Sequence, residues 1–265
     1  MVNCDETWCR VRLNNKKQRK GYIWCLINKA AKIVIFFFDE GSRGRKVLTE
    51  FLGDANIKAL KSDAYNAYYY LDDKECGIEH LCCLEHARAK SYQAWIQGKC
   101  EEAKFFLAKI EALYNNLERT YKEHGFTPEL IKEGRNSAVT IEIISDIRQR
   151  VTQLLSDGIE KSEVFQKNLN YLNSYWTQII AYRNDGRYEI DNSIAERAIR
   201  PMTVERKNKV AFGSEKGAMN SCAFHPINGR LKLQGKSIKK YYHKLLSAVA
   251  SGRNDYENLT PALPG

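Results

Sequence analysis

Apolar and polar positions alternate along the first third of the chain and then change period. Cys4 to Leu13 alternates as a strand does, and the polar run Asn14-Asn15-Lys16-Lys17 reads as the turn after it. Gly21 to Asn28 and Ala31 to Phe38, rich in Ile, Val, Trp and Phe, read as a second and a third strand. Arg45 to Leu52 carries Val47, Leu48, Phe51 and Leu52 at helical spacing. Ile57 to Leu60 is a short apolar run that stops at Lys61-Ser62-Asp63, as a buried strand would. Ala64 to Leu71 then reads as a short helix and Ile78 to Leu84 as a fifth strand. The predicted order is strand, strand, strand, helix, strand, helix, strand, which suggests a mixed sheet.

From residue 86 to 183 the period becomes helical. Ile110, Leu113, Tyr114, Leu117 and Tyr121 form one apolar stripe, and Gly125 and Pro128 punctuate it. A second helix is expected from about Pro128 to Leu155, and Phe165, Leu169, Leu172, Trp176, Ile179 and Ile180 line a third. These stripes predict a helical subdomain with no chemistry of its own. The turn Asn184-Asp185-Gly186 restarts the chain, and a short helix from Ser193 to Arg200 should stop at Pro201. A basic stretch, Glu205-Arg206-Lys207-Asn208-Lys209, leads into Val210-Ala211-Phe212, and the tail from Asn254 to Gly265 reads as disordered. There is no internal repeat. Trp8, Trp24, Trp95 and Trp176 are expected in cores rather than as base-stacking residues.

Composition narrows the class. The chain has 265 residues, 43% hydrophobic and 28% charged, which is a globular balance. The longest apolar run, Ile33 to Phe38, is far short of a membrane span of about 20 residues. The first twenty residues hold Asp5, Glu6, Arg10 and Arg12 with no apolar segment of a secretion signal, so a cytoplasmic protein without membrane partners is expected. The net charge of +10 is uneven: residues 187–253 hold fourteen Lys and Arg against five Asp and Glu. A polyanion suits that segment, as does an ordinary solvated surface. Eight cysteines show no C-x-x-C pair, and Cys83-x-x-His86 has no second half for a zinc site, so reduced, mostly buried thiols are expected.

Three acidic residues stand out by position. Asp5 lies in the first strand, Asp63 at the end of the fourth, and Glu196 on the short helix after the helical block. Carboxylates on a strand, a strand end and a helix can converge at one sheet edge and hold two divalent ions for phosphodiester chemistry. Oxygen-only ligands suit magnesium or manganese. Each residue has an ordinary role as well. Asp63 can cap a helix beginning at Ala64, Ser193-x-x-Glu196 fits a capping box, and Asp5 can face solvent near a terminus.

The surrounding text is more specific. Asp5-Glu6-Thr7-Trp8, Ser62-Asp63-Ala64-Tyr65 and Asp191-Asn192-Ser193-Ile194-Ala195-Glu196-Arg197-Ala198-Ile199-Arg200-Pro201 resemble bacterial transposases of the insertion-sequence 66 family. The resemblance continues through Cys83-Leu84-Glu85-His86-Ala87-Arg88 and from Arg206-Lys207-Asn208 to Phe212-Gly213-Ser214, in the same order over nearly the whole chain. It implies an α/β, ribonuclease H-like (retroviral-integrase-like) mixed sheet with a large all-helical insertion. It makes Asp5, Asp63 and Glu196 the Asp-Asp-Glu catalytic residues and ligands of two Mg2+ or Mn2+ ions. The implied reaction is water attack on the phosphodiester at the element end, then attack of the freed 3′-hydroxyl on target DNA.

DNA at the element ends and the target is then the expected partner, with a homo-oligomer, accessory proteins of the same element and the nucleoid as the setting. Arg197, Arg200, Arg206, Lys207 and Lys209 can meet phosphates, or form salt bridges and solvated surface instead. His86 and Arg88 can position a phosphate or the aspartates, or His86 can cap a strand end. The expected divisions are 1–89 for the first part of the core, 90–183 for the insertion, 184–253 for the core completion and 254–265 for the tail. Departures from the family pattern are Ser193, Glu205 and His225-Pro226, where proline should break a helix. Family members carry recognition regions ahead of the catalytic domain, so the chain is expected to be a catalytic portion. Two readings stand beside it: an inactive DNA-binding or assembly remnant, and a stand-alone nuclease of the same fold.

Overall fold

In the computed structural model of the chain, residues 1–13, 17–73 and 76–261 are described. The chain forms, in order, β1 (Val2–Arg12), β2 (Gln18–Asn28), β3 (Ile33–Asp39), α1 (Arg45–Leu52), β4 (Ala59–Ser62), a 3-10 helix (Asn66–Asp72) and β5 (Glu79–Cys82). Then follow α2 (Leu84–Ile96), α3 (Glu102–Glu111), a π-helical segment (Ala112–Glu118), α4 (Arg119–Glu123), α5 (Pro128–Arg135), α6 (Ala138–Ser156), α7 (Glu163–Ser174) and α8 (Trp176–Ile180). A 3-10 turn (Ala181–Asn184) leads to α9 (Ser193–Asn208), α10 (Glu215–Leu233), α11 (Ile238–Ala250) and α12 (Tyr256–Leu259). The protein is thus mixed α/β, with antiparallel and parallel strand pairs. The turn expected over 14–17 falls mostly outside the described residues, as does the chain from 262 onward.

The chain divides into two compact units. One, the helical unit, holds Met1 and Lys58–Asn192; the other, the meander unit, joins Val2–Ile57 to Ser193–Gly265. In the meander unit β1 pairs antiparallel with β2, and β2 with β3. Period-two alternation sends Cys9, Val11, Ile23, Cys25 and Ile27 to one face, where they pack with Ile199 and Met202 of α9 and Ala218 and Cys222 of α10. On the opposite face Trp24 stacks on Phe37, and Phe37 stacks on Phe51 of α1 with ring centroids 4.0 Å apart.

Both prolines expected to end helices lie inside them. α9 runs through Pro201 and α10 through Pro226. Proline removes one intrahelical hydrogen bond and crowds the preceding turn, but here burial on the sheet outweighs that cost. Ala195, Ile199 and Met202 bury one face of α9 on both sides of Pro201. On α10, Gly229 lets the helix approach β3 so closely that a Cβ there would lie 3.0 Å from a Val34 methyl. The tail also differs from expectation: α12 forms within it, Leu259 is buried, and its carbonyl accepts a hydrogen bond from the Tyr241 hydroxyl.

In the helical unit, β4 and β5 pair in parallel, each four residues long. Their buried side chains join a core with Ala87, Phe106, Ile147, Leu169 and Tyr182 from the surrounding helices. The single helix expected from Pro128 to Leu155 is two, because Ser137 caps α6 by accepting from the Thr140 amide. At that break Arg135 is buried, paired with buried Glu118 and donating to the carbonyls of Tyr182 and Asp185. Gly186 fits against Pro128 so tightly that any Cβ would collide with the Pro128 carbonyl. The helix expected at Ala64 starts later, as the 3-10 helix, because Ala64 adopts a positive φ of 64°.

Candidate functional site

Asp5 and Glu196 belong to the meander unit. Asp5 lies opposite Cys25 in the β1–β2 register and shares the odd-numbered face of β1 with Cys9 and Val11, the face that packs on α9. Its Oδ1 accepts from the Glu6 amide at 2.8 Å, which orients the carboxylate. Its neighbour Glu6 points the other way and is engaged by Arg43 with its side chain buried. Glu196 sits in the first turn of α9, half-buried beside the stripe of Ala195, Ile199 and Met202. α9 is anchored at its far end as well: Arg206 donates to the Thr7 hydroxyl at 2.8 Å.

Asp63 belongs to the helical unit, one residue past β4. Its Oδ1 accepts from the Tyr65 amide at 3.1 Å, so it shapes the turn after the strand and does not cap the later 3-10 helix. A polar chain, buried at Ser62 and His80, holds that turn. Ser62 Oγ meets His80 Nε2 at 3.0 Å, His80 Nδ1 meets Asp72 Oδ1 at 2.9 Å, and Ser62 Oγ also accepts the Ala64 amide at 3.3 Å. Burial pulls the His80 pKa below 6.5, against the opposing pull of Asp72. The arrangement resembles a Ser-His-Asp relay, but Ser62 is fully buried and cannot meet a substrate. Lys61, fully buried too, donates from Nζ to the carbonyls of Cys82 (3.1 Å) and Ile190 (3.3 Å), and burial lowers its pKa. Neither Lys61 nor the Ser62–His80–Asp72 chain stood out in the sequence, where Lys61 and Ser62 read as the polar end of the apolar run before them.

The basic candidates divide by partner. Arg88 is held by Glu85 through its Nε and Nη2, and that pairing raises its pKa. His86 lies one residue after Glu85, within the first turn of α2. Lys209 pairs with Glu205 at 2.7 Å. Arg200 and Lys207 are exposed on α9. Arg197 lines an apolar-floored groove of about 460 Å³ together with Lys29 and Lys232. Arg206 stacks on the ring of Trp8, with 4.4 Å from guanidinium carbon to centroid. Trp24 is a core residue as expected, but Trp8 is not: it is 37% exposed.

The eight cysteines are all free thiols. Burial raises Cys9 to about 11 and Cys222 to about 12, and raises Cys25 and Cys82 as well, so these thiols are protonated and unreactive near neutral pH. Cys83 accepts the Asn192 amide through Sγ at 3.2 Å, a structural role. Asp5, Asp63 and Glu196 by contrast offer only carboxylate oxygens, and two of them keep one oxygen fixed by an adjacent amide. That donor chemistry fits a hard divalent ion such as magnesium or manganese.

A family model described as "Transposase IS66 family" matches residues 1–220. Among curated proteins, the uncharacterized protein y4qI of Sinorhizobium fredii (strain NBRC 101917 / NGR234) is 23% identical over 260 residues, covering 92% of this chain and 47% of that protein. The uncharacterized protein y4jD of the same organism is 24% identical over 242 residues, covering 89% of this chain and 46% of its own length. The chain spans about half the length of the curated relatives it matches. No solved structure matches it.

Proposed function

The chain belongs to the IS66 family of transposases, and we propose that it carries a DDE catalytic core that cuts and rejoins DNA at the ends of an insertion sequence. One observation carries this: Asp5 stands on the face of β1 that packs against α9, and α9 bears Glu196 in its first turn. Two carboxylates far apart in sequence thus lie on two elements that pack face to face. Asp63 supplies the third, on a turn held by the Ser62–His80–Asp72 chain. In this proposal the fold is ribonuclease H-like, with the helices of 90–183 as an insertion.

Asp5, Asp63 and Glu196 would hold two divalent ions, which when bound would supply Lewis-acid polarisation of the phosphodiester and activation of the attacking oxygen. The amides of Glu6 and Tyr65 hold the heads of Asp5 and Asp63 in one orientation before DNA arrives. Exposed Arg200 and Lys207 neutralise phosphates along α9, with Arg197, Arg206 and Lys209 beside them. His86 and Arg88 lie on α2, just after the strand that follows Asp63, Arg88 oriented by Glu85. Water attack breaks the phosphodiester and leaves a 3′-hydroxyl; that hydroxyl then attacks a target phosphodiester and releases its 3′-oxygen. No covalent protein–DNA intermediate forms. No helix among the described residues is long and apolar enough to cross a membrane.

The test is strand cleavage of a duplex carrying the element end, in Mg2+ or Mn2+, by the wild-type chain and by Asp63→Asn and Glu196→Gln. The wild type should nick the end and each variant should be inactive while still binding the duplex. A wild type that binds the duplex but never cuts it, or variants that cut as well as it does, would overturn the catalytic reading in favour of an inactive DNA-binding remnant.

A further inference from the structure

On the β1–β2 pair, alternation leaves Trp8, Arg10 and Arg12 on the face opposite α9 and α10, beside Tyr22, Lys20 and Gln18 in register. Toward β3 this face is covered by the Trp24–Phe37–Phe51 stack. Toward the hairpin Trp8, Arg10, Arg12, Gln18 and Lys20 are exposed. Trp8 there has three cations around its ring: Arg206 at 4.4 Å, Lys20 at 5.7 Å and Arg10 at 5.9 Å from the centroid. Lys20 also lies 5.2 Å from the Tyr22 ring, between the two aromatics. A concavity of about 590 Å³ opens beside them, lined by Trp8, Arg10, Gln18, Arg19 and Lys20.

Some cations of the same unit are held by carboxylates. Arg19 pairs with Glu40 and Glu215, Arg43 with Glu6, and Lys209 with Glu205. Among the described residues, none of Arg10, Lys20 and Arg206 pairs with a carboxylate. An exposed cation–π contact contributes only about 0.5–1 kcal/mol, and three like charges around one indole repel each other. An indole left 37% exposed also keeps apolar surface in water. Both features are relieved by a ligand that brings anions and a flat π face together. An unpaired nucleotide does so: the base stacks on the ring while phosphates meet the cations. A base inside a duplex offers no free face.

We propose that the open face of the β1–β2 pair, centred on Trp8 with Arg10, Lys20 and Arg206, is a binding platform for single-stranded DNA. The inference rests on the chain being a DNA-handling transposase, and it adds that an unpaired strand, as arises at a cut or distorted end, is held on the face of β1 opposite Asp5. Arg206 clamps the indole through its own bond to Thr7. Arg10 and Lys20 supply the phosphate contacts, and Tyr22 is the second stacking position.

The experiment is fluorescence anisotropy of a labelled 20-nucleotide oligo-dT and of a 20-base-pair duplex, with the full chain in EDTA so that no cleavage intervenes. Trp8→Ala should weaken oligo-dT binding about tenfold, as expected for one lost stacked base, and Trp8→Phe should retain most of it. Arg10→Ala with Lys20→Ala should weaken it further and flatten its salt dependence. Duplex binding should change less than about threefold in Trp8→Ala. Independently of any variant, oligonucleotides containing 5-bromodeoxyuridine should photo-crosslink to the wild-type peptide that carries Trp8. Unchanged oligo-dT affinity in Trp8→Ala, equal losses for single strand and duplex, or crosslinks that never fall on that peptide would each overturn the proposal. Inactive nuclease with an intact oligo-dT response would instead refute only the catalytic reading.

Discussion

At the scale of single residues, strain and burial gather around Asp63. Ala64 holds φ at 64°, a conformation that costs a residue with a Cβ about 1 kcal/mol and glycine very little. Ala64→Gly is therefore expected to raise stability by about 0.5–1 kcal/mol in urea unfolding, part of the gain being offset by the freer unfolded chain. His80 makes stability pH-dependent. Buried, it is protonated only below its ordinary value of 6.5, so as pH falls past 6.5 the unfolded chain takes up a proton that the folded chain refuses. Stability is then full above 6.5 and declines below it, by at most about 1.4 kcal/mol per pH unit from this group. Urea midpoints measured between pH 7.5 and 5.5 should fall less steeply in His80→Gln than in the wild type.

At the scale of elements, apolar patterning was a good guide where one face is buried and a poor one where breakers sit inside a packed helix. The first three strands and α1 are legible in the sequence because alternation along β1, apolar β-forming runs in β2 and β3, and helical spacing in α1 survive along them. Pro201 and Pro226 misled because the burial of Ile199, Met202, Ala218 and Cys222 on the sheet holds both helices together around them. Pro201→Ala restores an amide able to donate to the Arg197 carbonyl and removes the ring's clash. It should stabilise the chain by about 1–3 kcal/mol, read as a higher urea midpoint with unchanged slope. Alternation also contained the signal for Trp8: it shares a strand face with Arg10 and Arg12, a polar face. What the pattern lacked was the position of Arg206, which comes from α9 and stacks on the ring.

At the scale of the molecule, the net charge of +10 conceals a division. The meander unit holds 24 Lys and Arg against 11 Asp and Glu, the helical unit 18 against 21. DNA affinity should therefore reside in the meander unit and depend steeply on salt. If four phosphates are met, binding of a duplex should fall on the order of a hundredfold between 50 and 200 mM KCl, measured by anisotropy. A flat response would mean that the basic surface does not meet the backbone. The sequence by itself determined the strands, the helical block, the surplus of positive charge and the family text around Asp5, Asp63 and Glu196, since each is carried by neighbouring residues. Only the tertiary structure joined Val2–Ile57 to Ser193–Gly265, bringing Asp5 to a face shared with α9 and setting unpaired cations around an exposed Trp8. Local pattern specifies which face of an element is apolar; which distant element covers that face, and which stretch stays open, follows from packing between segments that the sequence holds far apart.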